Sequence, residues 1–133
     1  MGIEVANIHP RLKINRNSLK RLIKNIVNRF NLKVKDISIV LVDDDYMREL
    51  NKRYRRIDSP TDVLSFSMEE DFLWGDIYIS LDTAERQAQF QGWKLDEEVR
   101  FLAVHGLLHL MGYEDETEEG YNEMMSLSSE LLK

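Results

Sequence analysis

Residues 99–115 have the sequence VRFLAVHGLLHLMGYED, and this stretch decides the expected architecture. Its first part, up to the methionine, is largely apolar, which predicts a buried helix. His105 and His109 are four residues apart, so they lie on the same helix face with Cβ atoms roughly 5–6 Å apart. Gly112 stands where a glycine can end a helix by adopting a left-handed conformation. We expect the chain to fold back there and to return Asp115 towards the two imidazoles.

Two imidazole nitrogens and one carboxylate oxygen can hold a metal ion and leave further positions open. Catalytic zinc typically has three protein ligands and a bound water. The pattern therefore predicts one zinc ion per chain, with His105, His109 and Asp115 as its ligands. Glu114 and Glu116 flank Asp115, and each remains an alternative third ligand. The competing interpretation makes the histidines ordinary core residues, although burying both without a partner would be costly.

The same histidine spacing occurs in zinc proteases whose motif begins His-Glu-x-x-His, where the glutamate is the general base. Gly106 occupies that position here, which argues against peptide hydrolysis by that route. The remaining histidine, His9, precedes Pro10 and is expected in an N-terminal turn with no role in the site.

The length of 133 residues is enough for one domain with a substantial core. The chain contains no cysteine, so neither a disulfide framework nor a thiolate metal site is expected. No apolar run approaches the ~20 residues of a membrane span, and the first residues do not resemble a signal peptide. We therefore expect one domain, residues 1–133, that is soluble and cytoplasmic.

The charge is unevenly distributed along the chain. Residues 1–35 contain nine Lys or Arg and a single acid, Glu4, whereas the whole chain has a net charge of −6. A basic segment on an acidic protein is compatible with a polyanionic partner, and equally with a helix whose basic face is solvated. The overall acidity argues modestly against tight, unspecific binding to nucleic acid.

Hydrophobic periodicity predicts the element order β-α-β-α-β-β-α-α-α. This is an α+β fold, with one small mixed β-sheet covered by helices. Amphipathic spacing marks the first helix, and Ser18 is its expected N-cap. The other expected caps are the acidic triplet at 43–45, Gly92 and Asp96, and a final helix is expected from about Thr117. Strands are expected at 3–7, 37–42, 63–67 and 77–80.

Several polar residues outside the histidine helix are candidates for the site. Arg55, in a polar loop expected over residues 54–62, could bind phosphate because its planar fork donates two hydrogen bonds. It could equally be an ordinary surface arginine, as could Arg56. Asp76 could orient a histidine ligand or simply open a strand. Thr61 and Asp62 are expected to stabilise a turn after a proline.

Taken together, these motifs resemble the YbeY family of bacterial metal-dependent endoribonucleases. The matching segments follow one order from about residue 35 to the last helix. They are Leu50-Asn51 with Tyr54-Arg55, Pro60-Thr61-Asp62-Val63-Leu64-Ser65-Phe66, Gly75-Asp76-Ile77 and the histidine segment up to Tyr113.

The resemblance implies a zinc-dependent endoribonuclease domain spanning residues 1–133. It implies a cytoplasmic role in maturation of the 3′ end of 16S ribosomal RNA and in ribosome quality control. Its partners would be single-stranded RNA, the 16S rRNA precursor, and the ribosome or ribosome-associated proteins. It also implies a catalytic role for Arg55.

One departure from the family pattern concerns the metal. The third ligand of the family is normally histidine, and the matching residue here is Asp115. A carboxylate adds negative charge, which should weaken the metal as a Lewis acid. Two histidines and a carboxylate are also the ligands of non-haem iron(II) oxygenases, so that hypothesis stays open. A ribosome-associated RNA-binding module with a mainly structural metal is the other alternative.

Overall fold

The computed structural model describes residues 2–68 and 73–133, and its elements follow the order expected from the sequence. The α+β class with one mixed sheet is confirmed. The strands are β1 (Gly2–Asn7), β2 (Val34–Val42), β3 (Val63–Ser67) and β4 (Leu73–Ser80). The helices are α1 (Arg16–Arg29), α2 (Asp44–Arg55), α3 (Leu81–Gln91), α4 (Leu95–Leu110) and α5 (Glu118–Leu131).

The sheet has the strand order β1-β2-β4-β3. β1 and β4 both pair with β2 in parallel, whereas β3 pairs with β4 antiparallel. Apolar residues of β2 and β4 supply the middle of the sheet, where Ile39, Ile77 and Ile79 are fully buried. The histidine helix packs over β3 and β4, so its cleft-facing side lies beside the start of β3.

The two faces of the sheet carry cores of very different size. The larger core lies between the sheet and the helices α1, α3, α4 and α5, and α4 contributes more buried residues to it than any other described helix. The opposite face is covered by α2 through a small cluster of Val42, Met47 and Leu64. No helix in the described ranges combines the length and apolarity needed to cross a membrane.

Several local expectations need correction. The N-cap of α1 is Asn15, whose side chain accepts a hydrogen bond from the backbone N–H of Ser18 at 3.0 Å, so Ser18 lies inside the helix. Asp96 is not the cap of α4 either. The helix begins after Lys94, whose N–H donates to Glu97 at 2.9 Å, while Asp96 accepts from the N–H of Asn15.

Two strands and one helix are longer than expected. β4 begins before Ile77 because the preceding residues pair with β2 on one side and β3 on the other. β2 likewise begins before Ile37. Arg55 is the last residue of α2 and not part of a loop, because the helix ends only where Arg56 adopts the left-handed conformation with φ 61°.

Candidate metal centre and adjoining cavities

The first predicted ligand, His105, lies in the middle of α4 and faces a cavity. Its Nε2 atom is buried and has no hydrogen-bond partner in the described part of the chain. The ring packs against Phe101, with ring centroids 4.4 Å apart. A buried polar nitrogen is normally satisfied, so this one requires a partner of some kind. A bound metal ion would supply that partner.

The second predicted ligand, His109, lies one helical turn further along α4. Its Nδ1 atom is 3.1 Å from the backbone carbonyl oxygen of Tyr113. Because a carbonyl can only accept, Nδ1 carries the hydrogen and the Nε2 lone pair is left free. A backbone partner of this kind commonly fixes the tautomer and ring orientation of metal-binding histidines.

The chain reversal after α4 brings Asp115 back to this face. Gly112 has φ 99°, which is the left-handed region expected for a helix-ending glycine. Asp115 Oδ2 then lies 3.6 Å from His109 Nε2, and the Asp115 side chain is 46% exposed. Glu114 and Glu116 line a cavity that Asp115 also lines, but of these three acids only Asp115 lies within ion-pair distance of a histidine nitrogen in the described residues.

These donors are of the right chemical type for zinc, which binds imidazole nitrogen and carboxylate oxygen. They fit the metal because the His105 Nε2 is orphaned and His109 presents its free Nε2 to a carboxylate. They do not form a closed ligand set, since no three His, Cys, Asp or Glu groups converge as a metal site within residues 2–68 and 73–133.

The electrostatic surroundings keep His105 neutral. Burial lowers its pKa below the usual value, and the neighbouring His109 lowers it further, while Asp62 and Asp115 act in the opposite direction. Only a neutral imidazole has a lone pair for a metal. The environment of His105 therefore suits a ligand.

Asp62 is a component of the site that sequence reasoning missed. It precedes β3 and accepts a hydrogen bond from the N–H of Val63 at 2.7 Å, as a turn residue would. It also lines both cavities at the histidines and influences the pKa of His105 and of Glu98. The sequence signal for Asp62 was its place directly before β3, which predicted only a turn residue.

Arg55 and His109 both line a smaller cavity beside the histidine helix. This cavity has a volume of about 520 Å³ and a mostly polar wall that includes Thr61, Ser65 and Asp115. Arg55 forms no salt bridge with any described carboxylate. Arg56, in contrast, does not line the cavity. The structure thus distinguishes two adjacent arginines that the sequence could not.

Gly106 faces the sheet rather than the cleft. A Cβ atom at this position would lie 2.6 Å from Ile77 Cγ2 and 3.1 Å from Ser65 Oγ. The Ser65 hydroxyl donates to the Gly106 carbonyl oxygen at 3.0 Å. A protease-like glutamate would therefore point into the packed sheet, away from the histidines.

Two other candidates lie away from the site. Asp76 is directly opposite Phe66 in the sheet, on the face covered by α2, whereas its neighbour Ile77 faces α4. It therefore cannot orient either histidine of α4, and it lies inside β4 rather than opening it. His9 accepts two backbone N–H groups in the N-terminal turn and contacts Asp82 at 2.8 Å.

The fold and the site define a small α+β protein with a helix-borne histidine pair facing a cleft. The family model for "Endoribonuclease YbeY" matches residues 4–133. The chain belongs to the endoribonuclease YbeY family.

Relatives and a solved structure agree with this assignment. The chain is 49% identical to the endoribonuclease YbeY of Acholeplasma laidlawii, over 74% of this chain and 73% of the relative. It is 37% identical to that of Desulforamulus reducens, over 100% of this chain and 96% of the relative. A solution structure from Thermotoga maritima matches with a TM-score of 0.68 and 29% identity, over 97% of this chain and 88% of that one.

Proposed function

We propose that residues 1–133 form one metallo-endoribonuclease domain that cleaves single-stranded RNA, with zinc held by His105, His109 and Asp115. The observation that carries the proposal is the free Nε2 of His109, 3.6 Å from Asp115, with the unpartnered Nε2 of His105 one helical turn away. Arg55, which forms no described salt bridge, lines the same cavity as His109 and Asp115. The endoribonuclease name of the family supports the reaction class.

The proposed roles follow from the geometry of each side chain. The Tyr113 carbonyl holds the His109 ring in the tautomer that exposes Nε2. A zinc ion, when bound, would supply a Lewis acid that polarises a phosphoryl oxygen and lowers the pKa of bound water. Arg55 would donate hydrogen bonds to the phosphate oxygens on which charge accumulates during cleavage.

The biological substrate follows from the resemblance of the sequence motifs to the YbeY family. We propose that it is the 16S rRNA precursor, cleaved near its 3′ end in the cytoplasm, with a further role in ribosome quality control. The sequence contains no recognisable base-reading motif, so we propose that the ribosome or ribosome-associated proteins position the RNA.

Single-stranded RNA oligonucleotides test the proposed reaction. His109→Ala should abolish metal-dependent cleavage while the far-UV circular dichroism spectrum remains that of the native protein. Arg55→Ala should slow cleavage by about 10²- to 10³-fold, the usual cost of removing a donor to transition-state charge. Arg56→Ala is the matched control and should cleave normally. Undiminished cleavage by His109→Ala would contradict the proposal.

The alternative is a ribosome-associated RNA-binding module whose metal is mainly structural. It is favoured by the basic segment, because Arg16, Arg21, Lys24 and Arg29 are all exposed on α1. RNA binding by this surface should weaken steeply with salt and should be lost in an Arg21→Glu, Lys24→Glu double variant. Chelation should also unfold the protein if the metal is structural. Salt-sensitive binding without cleavage would favour this alternative.

A further inference from the structure

The histidine pair lies between two cavities of different character. The smaller cavity, with Arg55, is mostly polar. The larger one has a volume of about 610 Å³ and a mostly apolar wall. Both are lined by Asp62, His109 and Asp115, so a ligand at the histidines can extend into each. A ribonucleotide has the same two-sided character, since a charged phosphate lies at one end and a flat base at the other.

The larger cavity is bordered by aromatic side chains from three helices. Phe90, on the last turn of α3, is 94% exposed, and Tyr121 of α5 is 49% exposed. Phe101 of α4 lines the same cavity and packs on His105. Exposed aromatic rings beside a cleft give a surface on which a nucleobase can stack. Phe90 in particular contributes almost nothing to the core.

A buried carboxylate lies in the wall of the same cavity. Glu98 is only 1% exposed, and both of its oxygens accept from Gln91 Nε2 at 3.1 Å. No described lysine, arginine or histidine forms a salt bridge with Glu98. An ionised carboxylate can accept about four hydrogen bonds, so a single amide leaves capacity for further donors. Glu98 therefore suits the N–H edge of a ligand.

We infer that the larger cavity binds one nucleobase of the RNA, stacked on Phe90 and Tyr121, with its N–H edge hydrogen-bonded to Glu98. Guanine is the preferred base, because its adjacent imino and amino N–H groups can donate to the two oxygens of one carboxylate. Uracil presents only one imino N–H. This inference rests on the proposed function, since it places the base next to the phosphate that is cleaved.

Three oligonucleotides test the inference. They are short single-stranded RNAs that differ only at one central nucleotide, which is guanosine, uridine or abasic. Their dissociation constants are measured by fluorescence anisotropy with metal chelated, and their kcat/KM values with metal restored. The guanosine RNA should bind about tenfold more tightly than the abasic RNA, as expected for one stacked base.

Three variants identify the residues responsible. Phe90→Ala should remove the difference between guanosine and abasic RNA, whereas Phe90→Tyr should retain it. Glu98→Gln should remove the preference for guanosine over uridine and leave the advantage of both over abasic RNA. Phe90 is so exposed that its replacement should leave the fold intact, which circular dichroism would verify.

The two proposals fail in different ways. Equal binding of the abasic and guanosine RNAs by the wild-type protein would overturn the base site, even if both were cleaved. Equal weakening of all three RNAs by Phe90→Ala would also overturn it. Absence of cleavage with the predicted binding preferences would refute the nuclease proposal and support the base site.

Discussion

Replacing Gly106 by alanine tests how closely the histidine helix packs on the sheet. The added Cβ would lie 2.6 Å from Ile77 Cγ2, about 1 Å inside an ordinary carbon–carbon contact. Overpacking of this kind costs about 1–3 kcal/mol. Alanine gains about 1 kcal/mol over glycine in helix propensity. Since moving the helix would also stretch the hydrogen bond from Ser65 to the Gly106 carbonyl, we expect a net loss of about 1–2 kcal/mol.

Urea unfolding followed by circular dichroism measures this loss, and a double-mutant cycle assigns it. Ile77→Ala alone should cost about 2–5 kcal/mol because the side chain is fully buried. In the Gly106→Ala background it should cost about 1–2 kcal/mol less, because it relieves the clash. A Gly106→Ala protein as stable as the wild type, or more stable, would refute the close packing that positions His105.

The remaining predictions concern pH, the turn and the metal. Burial and repulsion by Asp62 raise the pKa of Glu98 to about 6, against a hydrogen bond from Gln91 that lowers it. Below about pH 4.5 this carboxyl is protonated in both states and costs nothing, and the destabilisation develops as pH rises to about 6. Glu98→Gln should therefore raise the free energy of unfolding at pH 8, by about 1 kcal/mol after allowance for solvent screening, but not at pH 4. An equal change in the free energy of unfolding at pH 8 and at pH 4 would contradict the raised pKa of Glu98. Gly112→Ala should cost about 1 kcal/mol and weaken metal binding, because φ 99° disfavours a side chain; unchanged affinity would separate the turn from the site. Chelation should leave the circular dichroism spectrum native at 25 °C, since the main described core is a cluster of apolar side chains that includes none of the three proposed metal ligands; unfolding on chelation would favour a structural metal.

Local sequence signals predicted much of the fold. The period of α1, the alternation in β3 and the glycine after α4 each depend on nearby residues, and each is found in the structure. Asp43, from the acidic triplet expected to cap α2, does so because its side chain accepts from the N–H of Tyr46, three residues on. The last helix begins close to Thr117, as expected, and Thr117 itself accepts from the N–H of Gly120. The prediction of Ser18 as the N-cap of α1 was wrong because Asn15, three residues earlier, has a side chain that can perform the same function and accepts the N–H of Ser18.

The parts of the site that depend on distant residues could not be predicted. Asp62 lines the cavities at the histidines because β3, which it precedes, packs against α4, and no local pattern encodes that packing. The hypothesis that Asp76 orients a histidine ligand was wrong for a related reason. Strand alternation decides which face of the sheet Asp76 lies on, and the sequence did not reveal which face α4 covers. The separation of Arg55 from Arg56 depends on where α2 ends, which is fixed by the left-handed Arg56.

The cavity around Glu98 gives the site a second function beyond phosphate chemistry. A nuclease that held only phosphate would have little means to select a nucleotide, because phosphate contacts carry no sequence information. In the proposed base site, the buried carboxylate and the exposed Phe90, which line the same cavity, would supply base contacts. We therefore expect the cavity with Arg55 to bind the phosphate and the cavity with Glu98 to bind the base.

The most direct test of the metal centre is the metal content of the natively purified protein, resolved by element, beside Asp115→Ala and Asp115→His. We predict about one zinc ion per chain in the wild type, loss or weakening in Asp115→Ala, and retention in Asp115→His, because imidazole is also a zinc ligand. Iron in place of zinc would revive the oxygenase hypothesis. A wild-type protein that binds no metal, or an Asp115→Ala variant that binds it as tightly, would contradict the proposed site.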